Sequence, residues 1–221
     1  MSATKEKEQQ TDKPRRRSRA ERSEETRQAL FQAAAEMVGE HGYAEASISR
    51  ITARAKVAQG TFYNYFDSRQ DLFDQLLPAL GDKMLAYIRS RMGEATGPER
   101  EERRIRAYFD FLRDYPEFYR ILYEAETLAP KAHRQHIDAI AGGYARALSR
   151  SWERGEMPGY EKRELEVVAF MLLAARGYLS MRYGFSGDRP GAMPDWVIEA
   201  YMKFVRHGLY HVQAPDSNRC K

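Results

Sequence analysis

The chain has 221 residues, with 36 Lys+Arg against 32 Asp+Glu and a single cysteine. That length accommodates one small domain beside a larger one, and one cysteine excludes an internal disulfide and fits a reducing cytoplasm. The polar N-terminus lacks a secretory apolar stretch and no uncharged apolar run approaches the roughly 18 residues of a membrane span, so neither export nor a membrane partner is expected.

In chain order, the first 22 residues carry eight Lys/Arg and four Asp/Glu, an excess that equals the formal charge of the whole chain, +4. With almost nothing apolar to bury, residues 1–22 are expected to form a disordered basic arm that follows phosphates or enters a minor groove. A helix is expected from Ser23 to His41, capped by Ser23, with Glu24 and Glu25 suited to its dipole and Gly42 ending it.

Residues 47–66 hold the densest information. Ile48, Ile51, Ala55, Val57, Phe62 and Phe66 recur at a spacing that lets two short helices share one small core, with Ser47 as N-cap of the first. Gln59, Gly60, Thr61, Tyr63, Asn64 and Tyr65 are not needed for that core. Their chemistry suits a DNA groove: the amides of Gln59 and Asn64 pair bidentately with adenine, Thr61 and Tyr65 offer hydroxyls to phosphate, and Tyr63 reaches a thymine methyl. Gly60 removes a side chain where a backbone comes close to phosphate or base.

The run from Gly42 to Leu72, with Ile48, Ile51, Ala55, Val57, Gly60-Thr61-Phe62-Tyr63, Tyr65-Phe66 and Arg69, resembles the helix-turn-helix signature of the TetR family of bacterial transcriptional regulators. The resemblance implies phosphate contacts from Ser47, Thr61, Tyr65 and Arg69, and base reading by Gln59, Gly60 and Tyr63. It also implies repression by occluding a promoter. Three positions depart from the pattern: Lys56 stands where the turn usually has glycine, Ala58 replaces the usual Ser/Thr cap, and Thr52 replaces a small apolar residue. A left-handed Lys56 is the expected consequence, strained by roughly 1 kcal/mol but placed to recover energy electrostatically near phosphate.

A fourth helix is expected to begin near Asp67 or Ser68 and run toward Met92, bent or interrupted at Pro78 and Gly81. Further helices are predicted over 99–114, 116–128, 131–154, 161–183 and 194–211, separated by proline and glycine punctuation. The fold class is therefore all-α. A three-helix DNA-binding domain spans 23–70, a helical ligand-binding and dimerisation domain 71–212, and a flexible tail 213–221.

Within 161–183 the run Val167 to Ala175 is apolar around its whole circumference and must be covered on both sides. With Trp196, Val197, Tyr201, Phe204, Val205 and Leu209 it resembles the four-helix dimer interface of the family; a central helix in a monomeric bundle is the alternative. A homodimer would hold two reading heads about 34 Å apart on a near-palindromic operator in double-stranded DNA.

Between 108 and 123, Tyr108, Phe109, Phe111, Tyr115, Phe118, Tyr119 and Tyr123 exceed what one narrow stripe buries. Tyr108, Phe111, Phe118, Tyr119 and Tyr123 are therefore candidates to line a pocket for a hydrophobic or amphipathic effector. Arg176 interrupts the most apolar helix and needs a partner, either a carboxylate such as Glu124 or Glu126 or an acidic group on the ligand. His133 with His136 and His207 with His211 lie one turn apart without a third ligand, so solvent-facing or capping roles are expected and no metal site. No phosphate loop or nucleophile elbow occurs, so neither catalysis nor a cofactor is expected. The leading reading is a cytoplasmic, ligand-released repressor. A DNA-binding regulator without an effector comes second, and a helical enzyme or interaction module last.

Overall fold

A computed structural model describes residues 18–186 and 189–208. Nine α-helices make up nearly all of the described chain: α1 (Arg19–His41), α2 (Ile48–Ala55), α3 (Gln59–Phe62), α4 (Arg69–Arg89), α5 (Gly97–Asp114), α6 (Glu117–Leu128), α7 (Pro130–Glu153), α8 (Leu165–Tyr183) and α9 (Asp195–His207). A short 3-10 turn, Lys162–Glu164, precedes α8, and two-residue strands Phe185–Ser186 and Arg189–Pro190 pair antiparallel in the loop before α9. The all-α architecture matches the periodicity. The tail 213–221, with residues 209–212 and 1–17, lies outside the described residues.

The first helix starts earlier than the sequence reading placed it. Ser18, not Ser23, is its N-cap: the Glu21 N–H donates to Ser18 Oγ at 3.1 Å and the Ser18 N–H to the Glu21 carboxylate at 2.6 Å, a reciprocal capping box. Arg19 and Arg22 thus belong to the helix, and the boundary between arm and head moves from 22 to 18. The signal was present as Ser18-Arg19-Ala20-Glu21, hidden by the surrounding charge.

Leu30, Ala34 and Val38 of α1 meet Ile51 of α2, Phe62 of α3, Phe66 of the connection that follows and Leu72 of α4 in one buried core. Aromatic contact fixes it, with the rings of Phe31 and Phe66 edge-on at 5.2 Å and those of Phe62 and Phe66 tilted at 5.4 Å. From there α4 runs into the body without a break at Pro78, capped by Ser68, whose hydroxyl accepts from the Asp71 N–H at 3.1 Å.

Gly81 marks a close helix crossing rather than a kink. A Cβ there would stand 2.3 Å from His136 Nδ1, so only glycine lets α4 and α7 close on each other. His136 accordingly is neither solvent-facing nor a cap, as the sequence had suggested. It is 3% exposed and packs edge-on against Phe118 at 5.8 Å. Burial, then the nearby positive charge of Arg176, and to a lesser degree His133, push its pKa down from 6.5 to about 4.

The unfolded chain therefore takes up the His136 proton first as acid is added, and stability contributed by the neutral imidazole is lost as pH falls from 6.5 toward 4. Urea unfolding across that window is expected to show a steeper pH dependence for the natural chain than for His136→Asn, the difference amounting to about 3 kcal/mol over the window. Parallel slopes would contradict a neutral buried imidazole.

Candidate nucleic-acid interface

The second helix is set by Ser47, whose hydroxyl accepts from the Arg50 N–H at 3.4 Å, and is tied to α1 from behind by Arg54, 2.6 Å from Glu40 and 3.6 Å from Glu36. Thr52, the unexpected polar residue of the signature, is buried but satisfied, donating to the Ile48 carbonyl at 2.9 Å. Lys56 then takes the left-handed conformation at φ 58° and ψ 39°, the only non-glycine residue with positive φ among the described residues. Its N–H and that of Val57 close back on Ala53 and Thr52 at 3.2 and 3.0 Å, ending the helix.

α3 is a single turn begun by Ala58 with no side-chain cap. Phe62 is its buried anchor, at 0% exposure. Gln59, Gly60, Tyr63, Asn64 and Lys56 are exposed around it, while Ser47, Thr61 and Tyr65 are half-buried. Tyr63 is held against the Phe62 ring at 5.5 Å yet remains 55% exposed, a rigid aromatic presented to solvent. Lys56 has no ion pair among the described residues, and its charge lies beside this face. Nothing lies within 4 Å of a Cβ built on Gly60 and its φ is not positive, so the protein itself does not require glycine there.

Arg69 differs from expectation. Its guanidinium turns inward, donating to the Tyr43 carbonyl and, at 3.3 Å, to that of Ala44, and stacks 5.0 Å from the Phe73 ring with Nε buried and unpaired. It closes the turn between α1 and α2 rather than standing on the free face. The Tyr65 hydroxyl, 3.4 Å from Ser23 Oγ, spans to α1.

In the body, Phe111 and Phe118 are fully buried and 5.2 Å apart, and Tyr108 is 2% exposed. Tyr119 stacks on Tyr123 at 4.4 Å and Phe185 at 4.5 Å, and the Tyr123 hydroxyl donates to the Gly177 carbonyl at 3.2 Å. Arg176 lies 4.3 Å over the Tyr108 ring with no ion pair among the described residues. Of the two carboxylates expected to partner it, Glu124 is engaged elsewhere, with Arg120 at 2.6 Å and the Tyr43 N–H at 2.8 Å, and Glu126 forms no ion pair with it among the described residues. That clamp joins α6 to the end of α1, a link between distant residues that no local pattern announced. A cavity of about 340 Å³ lies between α5, α7, α8 and α9, lined by none of the six residues proposed for the effector.

Residues 30–76 match the model of the bacterial regulatory proteins of the tetR family. That segment, which runs from within α1 to within α4, is similar to the N-terminal part of tetR-family proteins. The matched segment holds the helix-turn-helix pair α2 and α3. The HTH-type transcriptional activator FasR of Mycolicibacterium smegmatis is 27% identical over 199 residues, covering 90% of this chain and 89% of that protein. The fatty acid degradation regulator FadR from Bacillus halodurans superposes with a TM-score of 0.68 at 22% identity, covering 85% of this chain and 97% of that one. The transcriptional regulator FadR from Bacillus subtilis in complex with stearoyl-CoA does so with 0.65 at 18% identity over 83% and 99%. These two superpositions show that the fold is shared with those regulators. Among the described residues no helix is long and apolar enough to cross a membrane, and no group of three or more His, Cys, Asp or Glu could hold a metal ion.

Two substitutions separate strain from capping in this head. Lys56→Gly relieves the left-handed backbone, and the thermal transition is expected to rise by an amount equivalent to up to about 1 kcal/mol. Arg69→Met removes the side chain that satisfies the α1–α2 turn and is expected to cost about 1–3 kcal/mol in chemical unfolding. An Arg69→Met protein as stable as its parent would show that the inward hydrogen bonds are dispensable.

Proposed function

We propose that the protein binds a near-palindromic operator as a homodimer in the cytoplasm and represses transcription by occluding the promoter, until a hydrophobic or amphipathic small molecule releases it. The observation that carries this reading is the exposed face of α3, whose residues the core does not use. Gln59, Gly60, Tyr63 and Asn64 read base edges, while Ser47, Thr61, Tyr65 and Lys56 hold phosphates. Arg69 is assigned to holding the turn, so the phosphate set is one smaller than the family resemblance implied. The basic arm, residues 1–17 of which lie outside the described region, adds a salt-dependent, sequence-independent term.

Dimerisation is supported by apolar side chains that α8 and α9 leave uncovered. Val167, Phe170, Met171, Tyr178, Trp196 and Phe204 are 43–69% exposed, a concentration that a monomer in water does not favour. A four-helix packing of α8 and α9 from two copies would cover them by isologous contact.

An effector of the fatty-acyl class is favoured because one structural neighbour is a fatty acid degradation regulator and another is in complex with stearoyl-CoA. Arg176, stacked on Tyr108 and lacking a carboxylate partner, is suited to an acidic group, with Tyr119 and Tyr123 beside it and Phe111 and Phe118 behind. Activation is the second reading, favoured by the resemblance to an activator over most of the chain. The position of the operator relative to the promoter separates the two.

Gel-shift titration on the DNA flanking its own gene, with and without stearoyl-CoA, tests the reading. Gly60→Ala sharpens it, because the substitution is expected to stabilise the folded protein by about 0.5–1 kcal/mol while weakening operator binding at least tenfold. Operator affinity unchanged in Gly60→Ala would mean that no DNA backbone or base approaches there.

A further inference from the structure

The cavity of about 340 Å³ is bounded by the start of α5, the end of α7, the first two turns of α8 and the end of α9. Its size lies at the lower end of small-molecule sites, which run to roughly 300–1,000 Å³. The walls are of two kinds. Leu148 of α7 with Val168 and Leu172 of α8 are apolar, while Arg100 and Arg104 project from α5.

Arg104 is fully accounted for inside the protein. It lies 2.6 Å from the Glu101 carboxylate and 4.3 Å over the Tyr144 ring, and Glu101 also accepts from the hydroxyls of Tyr144 and Tyr201, the latter at 2.6 Å. The other charges on the rim are likewise paired, Arg206 with Glu102 at 3.2 Å and Glu156 with Arg154 at 2.6 Å. Arg100 is different. It donates to the Ala95 carbonyl at 3.0 Å and has no ion pair among the described residues. Its own burial and the positive charges of Arg104, Arg150 and Arg154 work against its protonated form and outweigh the favourable charge of Glu94. A half-buried cation set among cations, beside an apolar wall, is complementary to an anion that carries an apolar tail.

We propose that this cavity binds an amphipathic anion, with a carboxylate or phosphate at Arg100 and an apolar chain along Leu148, Val168 and Leu172. The site is separate from the Tyr108–Arg176 region. It rests on the effector reading only in that the protein takes a small molecule. Met171 and Phe204 line both the cavity and the uncovered face of α8 and α9, so an occupant sits directly behind the proposed subunit contact.

Calorimetric titration of the full chain with decanoate, decyl phosphate and decanol tests the proposal without DNA. One or both anions are expected to show a binding event of one per chain that depends on Arg100, with decanol at least tenfold weaker there, and their ratio names the head group. Arg100→Gln should weaken the anions at least tenfold and leave decanol unchanged. Val168→Trp should weaken all three by filling the apolar wall, and Leu148→Phe serves the same purpose if the first variant loses helical signal. Arg176→Gln should leave the Arg100-dependent binding event unchanged. Absence of anion binding, an Arg100→Gln protein that binds like its parent, or loss in Arg176→Gln instead would overturn the assignment. Decanoate that binds through Arg100 without altering operator affinity would leave this site standing and count against the effector reading alone.

Discussion

The burial of Phe62 is the constraint on which the reading head depends. A four-residue helix with no side-chain cap has no stability of its own, since nucleation of an isolated turn is unfavourable. α3 exists because Phe62 is locked against Phe66, and Phe66 against Phe31 of the first helix. With one side chain serving as the anchor, its neighbours are released from packing, and Gln59, Gly60, Tyr63 and Asn64 stand in solvent in a fixed arrangement. The local weaknesses, left-handed Lys56 and uncapped Ala58, sit in this same turn. Together they amount to roughly 2 kcal/mol, tolerable when a shared core holds the turn from behind.

The head is joined to the body by two routes of different character. One is α4, a continuous rod whose crossing with α7 is as close as Gly81 and His136 permit. The other is the seam between α1 and α6: a Cβ on Gly39 would come within 2.6 Å of Glu117 Cβ, and the Arg120–Glu124 pair reaches the carbonyl of Glu40 at 3.1 Å and the N–H of Tyr43. α6 also carries Phe118, Tyr119 and Tyr123 on its body side. A displacement of α6 by an occupant near those rings would therefore be passed to the end of α1 through charged hydrogen bonds, which are short and directional. Packed interfaces of this kind have discrete arrangements rather than a continuous range, so a small shift is transmitted rather than absorbed.

The sequence disclosed what is local and periodic. Ile51, Phe62 and Phe66 marked the head core, the glycine-to-lysine exchange at position 56 foretold a left-handed residue, and the helices of the body followed from proline and glycine punctuation. Long-range pairings were beyond it. Nothing near Arg69 indicates that its guanidinium turns back to the carbonyl of Tyr43, because that contact spans 26 positions. Nothing near Glu124 indicates a tie to Tyr43 rather than to Arg176. His136 read as a surface histidine since its burial depends on a glycine 55 positions earlier, brought opposite by a helix crossing. Arg100 and Glu101 are adjacent in a strongly charged stretch, yet Glu101 is knotted into three helices while Arg100 makes no ion pair among the described residues. The Ser18 capping box is the exception, a local motif that was legible and obscured only by the basic residues around it.

The uniform apolarity of α8 is explained by three demands on one helix. Leu165, Ala169 and Leu172 point into the bundle and are buried. Val167, Phe170, Met171 and Tyr178 point outward and are exposed. Val168 and Leu172 form the wall of the cavity behind them. A helix facing water on any side would carry a polar stripe, and α8 has little of one before Arg176. If the outward face is covered by a second copy, the cavity becomes a space enclosed between a subunit's own core and its interface. Filling it then favours one spacing of α8 and α9 over another. Such an interface would also set the separation of two heads, so a ligand there and a duplex at the heads would be linked through the same geometry, each biasing the affinity of the other by an equal factor.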